Sequence, residues 1–112
     1  MNTVWTLESF DIEGEIVKPH AGQIYTVQFT SDSTFIGNDD CNDFGGKYEV
    51  QSDNSLVILE VGGSKVNCPN SLYREYLEAF RNAKSYRITK NILYIFYGNN
   101  SRLNFIGSNF LK

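Results

Sequence analysis

Alternation of apolar and polar side chains with a period of two runs through most of this chain, and it confines the fold to half-buried β-strands. In Tyr25-Thr26-Val27-Gln28-Phe29, the residues Tyr25, Val27 and Phe29 share one face while Thr26 and Gln28 share the other. The same pattern reads over Thr3 to Phe10, Ile24 to Phe29, Thr34 to Gly37, Lys47 to Gln51, Leu56 to Glu60, Ser64 to Cys68, Ser85 to Thr89, Ile92 to Tyr97 and Arg102 to Ile106. Turn signals separate these segments at Ser31-Asp32-Ser33, Asp53-Asn54, Gly62-Gly63, Lys90-Asn91 and Gly98-Asn99-Asn100, where Gly and Asn tolerate positive φ. Connections this short join antiparallel neighbours. About eight strands in one antiparallel sheet favour a strong curl or a partly open barrel, which also removes exposed edges. Asp11 to Gly22, with Pro19, glycines and mixed charge, reads as a long surface loop.

One segment carries a helical period instead. From Ser71 to Ala83, the residues Leu72, Tyr76 and Phe80 recur every fourth position with Tyr73, Leu77 and Ala83 beside them. Arg74, Glu75, Glu78, Arg81 and Asn82 fill the opposite arc. Asn70 or Ser71 is placed to cap the first turn after Pro69, and Glu78 precedes Arg81 at a favourable spacing. Ile92 to Tyr97 is apolar on both faces, as in a central strand covered on each side. The helix, over residues 70–83, is the cover the pattern offers. The expected fold is therefore α+β, a curled antiparallel sheet with one covering helix, and residues 1–112 form a single domain.

A chain of 112 residues can bury about two thirds of its unfolded surface, enough for one packed core. The formal net charge is -3, and the ten Lys and Arg are spread without a cluster, which argues against nucleic acid or an anionic membrane as the main partner. No apolar run approaches the roughly 20 residues of a membrane span, and the N-terminus lacks the basic and apolar regions of a signal peptide. Either the protein is cytoplasmic, or an export segment was trimmed ahead of Met1. A monomer is expected.

Taken together, Trp5-Thr6-Leu7, Tyr25 to Phe29, Gly37, Cys41-Asn42 with Phe44, Gly46 and Tyr48, and Cys68-Pro69 resemble the META domain family (HslJ-like). Glu75 to Phe80, Tyr86-Arg87-Ile88, Leu93 and Leu103-Asn104-Phe105 continue the pattern, so the resemblance spans about Trp5 to Phe105. Cys-Asn with the spaced Phe, Gly and Tyr is its most specific piece. Two departures stand out: Asp40 where members carry Gly, and Ser64-Lys65-Val66-Asn67 where they carry a Thr-rich, Met-containing stretch. The resemblance implies an α+β fold and a bacterial setting, often the cell envelope or a stress response. It implies no catalytic residues and no cofactor.

Each candidate site has a plain structural reading beside it. Cys41 and Cys68 read as a structural disulfide, as two buried thiols, or as a reactive pair, and His20, the one histidine, lies in a distant loop where it could not serve as base. Asn38, Asp40, Asn42 and Glu49 fit a poor calcium register, with Asp43 where a Gly is needed, and an Asx-rich turn explains the same letters. Cys41, Cys68 and His20 lack the spacing of a structural zinc site. Asp39-Asp40 and Asp11 with Glu13 read as solvated loop carboxylates, and no phosphate-binding loop is present. Among the aromatics Trp5, Tyr25, Phe29, Tyr48, Tyr73, Tyr76, Phe80, Tyr94 and Phe96, either most are core or some line an interior cavity. The reading is a non-catalytic domain acting through protein or surface contacts, with a carrier of a small lipophilic ligand, bound between the curled sheet and the helix, as the alternative.

Overall fold

The structure, a computed structural model, describes residues 3–30, 32–39, 43–63 and 72–107. The strands are β1 (Trp5–Ile12), β2 (Glu15–Val17), β3 (Tyr25–Phe29), β4 (Thr34–Asp39), β5 (Asp43–Val50) and β6 (Leu56–Gly63), followed by the helix α1 (Tyr73–Arg81) and by β7 (Ala83–Thr89), β8 (Ile92–Tyr97) and β9 (Ser101–Gly107). Every pairing is antiparallel, in the order β6-β5-β4-β3-β1-β9-β8-β7, with β2 attached to β1. The two ends of this path meet where Ser55 bridges Ser85 and the Tyr86 N–H donates to the Asn54 carbonyl at 3.1 Å. The sheet is thus a nearly closed barrel.

Small residues on the inner face let it curl. A Cβ on Gly46 would run into the Glu60 carbonyl oxygen and lie 2.9 Å from Cζ of Phe35, and one on Gly37 would strike the Thr26 carbonyl oxygen and the Phe44 ring. Phe35 and Phe44 therefore fill the volume these glycines leave, and register shifts between Leu7 and Ser9, Lys47 and Tyr48, and Ala83 and Ser85 bend the strands further.

Helix α1 enters one end of the barrel. Tyr76 and Phe80 are fully buried, with ring centroids 5.4 Å (Tyr76–Phe44), 5.2 Å (Tyr76–Tyr25) and 5.6 Å (Phe80–Phe35) from their neighbours. Two hydroxyls fasten it: Tyr76 donates to the Thr26 carbonyl at 2.9 Å, and the Leu72 N–H donates to the Tyr25 hydroxyl at 2.8 Å. The expected span 70–83 is longer than the helix, whose last residue is Arg81, because Ala83 already opens β7. Leu72 occupies the N-cap without a side-chain cap, and the suggested caps Asn70 and Ser71 lie outside the described residues. Glu78 and Arg81 pair at 3.3 Å as their spacing implies.

Two further expectations change, and a third lies outside the described residues. The loop Asp11 to Gly22 contains a hairpin: β1 runs to Ile12, Glu13 and Gly14 turn with φ of 52° and 96°, and β2 returns. The segment Ser64 to Cys68 lies outside the described residues. The helix does not cover the outer face of β8, because it packs inside the curl. On that outer face Tyr94 and Phe96 stack on each other at 6.3 Å, and the Arg102 guanidinium lies 5.3 Å from the Tyr94 ring centre.

Candidate functional site

The barrel end opposite the helix is where β1, β6 and β8 begin and β3, β5 and β7 finish. Trp5, Phe29, Val50, Leu56, Ile88 and Leu93 stand near those termini, and they wall a cavity of about 370 Å³ that opens to solvent. Tyr48, Tyr86 and Ile95 complete the wall, and Thr3, Lys90 and Asn91 bring polar groups to it. Among the described residues no helix reaches this end, and the ring packing around Tyr76 and Phe80 that occupies the other half of the barrel does not extend here.

The sequence places these groups by simple alternation. Phe44, Gly46 and Tyr48 are alternate residues of β5 and so share its inner face. Phe44 meets Tyr76 of the helix, Gly46 admits the Phe35 ring, and Tyr48 reaches the cavity. Of the aromatics singled out in the sequence, Trp5, Phe29 and Tyr48 line the cavity, Tyr25, Tyr76 and Phe80 are core, and Tyr94 and Phe96 lie on the outer face. The volume between sheet and helix, where the alternative reading put a lipophilic ligand, is filled by buried rings. Sequence reasoning singled out none of the other nine lining residues, Leu56, Tyr86 and Lys90 among them; strand alternation and the Lys90-Asn91 turn signal were all that pointed toward them.

Tyr48 is held firmly. Its hydroxyl donates to the Thr30 carbonyl at 2.8 Å, and its ring meets Phe29 edge-on at 5.0 Å. Burial, then the nearby Asp32 carboxylate and the Tyr86 hydroxyl, push its phenol above the ordinary range, so it is neutral at any physiological pH. Asp32 itself accepts hydrogen bonds from the hydroxyls of Thr30 and Thr34, which hold its carboxyl below its usual value. Asp53, in the turn between β5 and β6, is lowered in the same way by Ser55.

The remaining candidates sit elsewhere. Cys41, Cys68, Asn42 and Asp40 lie outside the described residues. Asn38 donates from its amide to the Asp43 carboxylate at 3.1 Å, and Asp11 accepts from the Gly14 N–H and pairs with Arg102 at 3.5 Å. His20 is exposed, in the loop between β2 and β3.

Comparison with known proteins matches this arrangement to others. A family model described as META domain matches residues 1–110. A protein from Burkholderia xenovorans, solved by NMR, is 20% identical with a TM-score of 0.78, over 96% of this chain and 83% of that one. The crystal structure of a DUF4847 family protein from Bacteroides vulgatus is 17% identical with a TM-score of 0.69, over 92% of this chain and 90% of that one. No curated protein matches the chain. At these identities the solved structures speak to the fold alone.

Proposed function

The chain belongs to the META domain family, and from that premise we propose that it is a non-catalytic binding domain that holds a small apolar molecule in the open end of its barrel. The observation that carries this reading is the cavity of about 370 Å³, walled mainly by Trp5, Phe29, Leu56, Leu93 and Ile95. Sites for small ligands are usually concave, mostly apolar and about 300–1,000 Å³ in volume. The non-catalytic part rests on the same wall, where Lys90 is the one charged group among the described lining residues and no carboxylate, thiol or imidazole faces it. The cell envelope is the setting we assign to it, from the resemblance alone.

Trp5 is the chain's one tryptophan and lines the cavity, so its fluorescence reports occupancy directly. Titration with decanol should give a saturable change in Trp5 emission. Val50→Phe, at a lining position 44% exposed, should block it without loss of fold. Emission that does not respond to decanol, or responds equally in Val50→Phe, would remove the reading.

A second reading, contact with a protein partner, is favoured by one feature of the outer face. Ile36 and Leu59 are 55% and 57% exposed on β4 and β6, and Gly45, the β5 partner of Ile36, adds no side chain beside it. Apolar side chains left in water on strands of one sheet suit a docking face.

A further inference from the structure

Resting on the ligand-binding reading above, we propose that the occupant of the cavity is a single-chain amphiphile with an anionic head group, its carboxylate or equivalent at Lys90 and its chain among Trp5, Leu56, Leu93 and Ile95. The cavity sets the length of the chain. A dry apolar cavity of about 150 Å³ holds a benzene molecule, and at about 30 Å³ per water-sized unit this one takes roughly a dozen heavy atoms. That is a saturated chain of about ten carbons with its head group.

The charge at the rim sets the head. Lys90 lies in the two-residue connection closed by the pairing of Thr89 with Ile92, and it reaches the lining of the cavity while remaining exposed. Its ammonium has no carboxylate partner among the described residues. The carboxylates of the neighbouring turns are already engaged: Asp32 takes the hydroxyls of Thr30 and Thr34, and Asp53 those of Ser55 and its backbone N–H. Asp32 is also remote around the barrel, since β1 and β9 separate the β3–β4 hairpin from the β7–β8 hairpin. Asn91 and Thr3 line the same cavity and carry an amide and a hydroxyl, groups that donate to the same kind of oxygen.

The backbone at Lys90 points the same way. Its φ is 57°, a left-handed conformation that Gly or Asn adopts readily and a long side chain uncommonly. The next residue, Asn91, would tolerate that conformation better, yet the chain spends it on Lys90, and the result is a cation at the mouth of an apolar hole. An alcohol would use the walls alone, and a quaternary ammonium would meet a like charge.

The test compares three probes of the same chain length by Trp5 fluorescence, each below the concentration at which it forms micelles: decanoate, decanol and decyltrimethylammonium. Decanoate should bind about two- to fivefold more tightly than decanol, as expected of one solvent-exposed charge pair, with the advantage shrinking in high salt. The ammonium should bind most weakly. Lys90→Gln should erase the difference between decanoate and decanol while leaving decanol unchanged, and Lys90→Arg should retain it. Decanol binding as tightly as decanoate, or a preference that survives Lys90→Gln, overturns the head-group assignment and leaves the cavity reading standing. Failure of all three probes to bind overturns the cavity reading itself.

Discussion

At Gly46 the inner face of β5 has room for a hydrogen and nothing more. A methyl group there is blocked on one side by the backbone carbonyl of Glu60 and on the other by the Phe35 ring, and a carbonyl held in a strand ladder cannot turn aside. Overpacking ordinarily costs about 1–3 kcal/mol, so Gly46→Ala is expected to lose about 3 kcal/mol or more in urea unfolding. Gly62→Ala, at a glycine with open space around it, should change stability by about 0.5 kcal/mol or less. Equal stability of the two variants would mean that β5 and β6 part freely at this point. The alternation of Phe44, Gly46 and Tyr48 was legible in the sequence as one face of a strand. The reason for a glycine at its centre was not, because the ring that fills the space comes from Phe35 on the neighbouring strand.

Among the elements, α1 is the one whose placement decides the rest. Its hydroxyl tether from Tyr76 to Thr26 can be removed with little change of shape, so Tyr76→Phe should cost about 0.5–1.5 kcal/mol. Tyr76→Ala also empties the space between Tyr25, Phe44 and Phe105 and should cost about 3–5 kcal/mol. Denaturant titrations of the two variants check this; similar losses would show that the hydroxyl, and not the ring, holds the helix. The helix was legible from the four-residue spacing of Leu72, Tyr76 and Phe80, but not the face of the sheet it meets. Period and spacing define an apolar arc without saying whether it lies on the outside of a sheet or inside its curl. The hairpin at Glu13-Gly14 escaped notice for a local reason. Glu is an uncommon residue at positive φ, and here it is accommodated beside a glycine whose N–H is held by Asp11.

For the molecule as a whole, the curl followed from the number of short antiparallel strands, while the half-filled interior depends on how far one helix enters and could not be read from pattern. The cysteines belong to this scale too. Phe44 pairs with Gly63, with Cys41 three residues before the one and Cys68 five residues after the other in the sequence. A bond between them would close a loop of 27 residues and contribute about 3–4 kcal/mol. Thiol titration of the unfolded protein should then find two more thiols after reduction than before, and equal counts would exclude the bond. The pairing of β1 with β9 joins Trp5 to Gly107, nearly the full span of the chain. On the ribosome, at about 5–20 residues per second, β1 therefore waits on the order of 5–20 s for β9, the partner on its other edge, with that edge unpaired and its aromatic face unsheltered. The barrel is completed only once β9 has emerged, and the interval before that is when a nascent chain has most need of a chaperone.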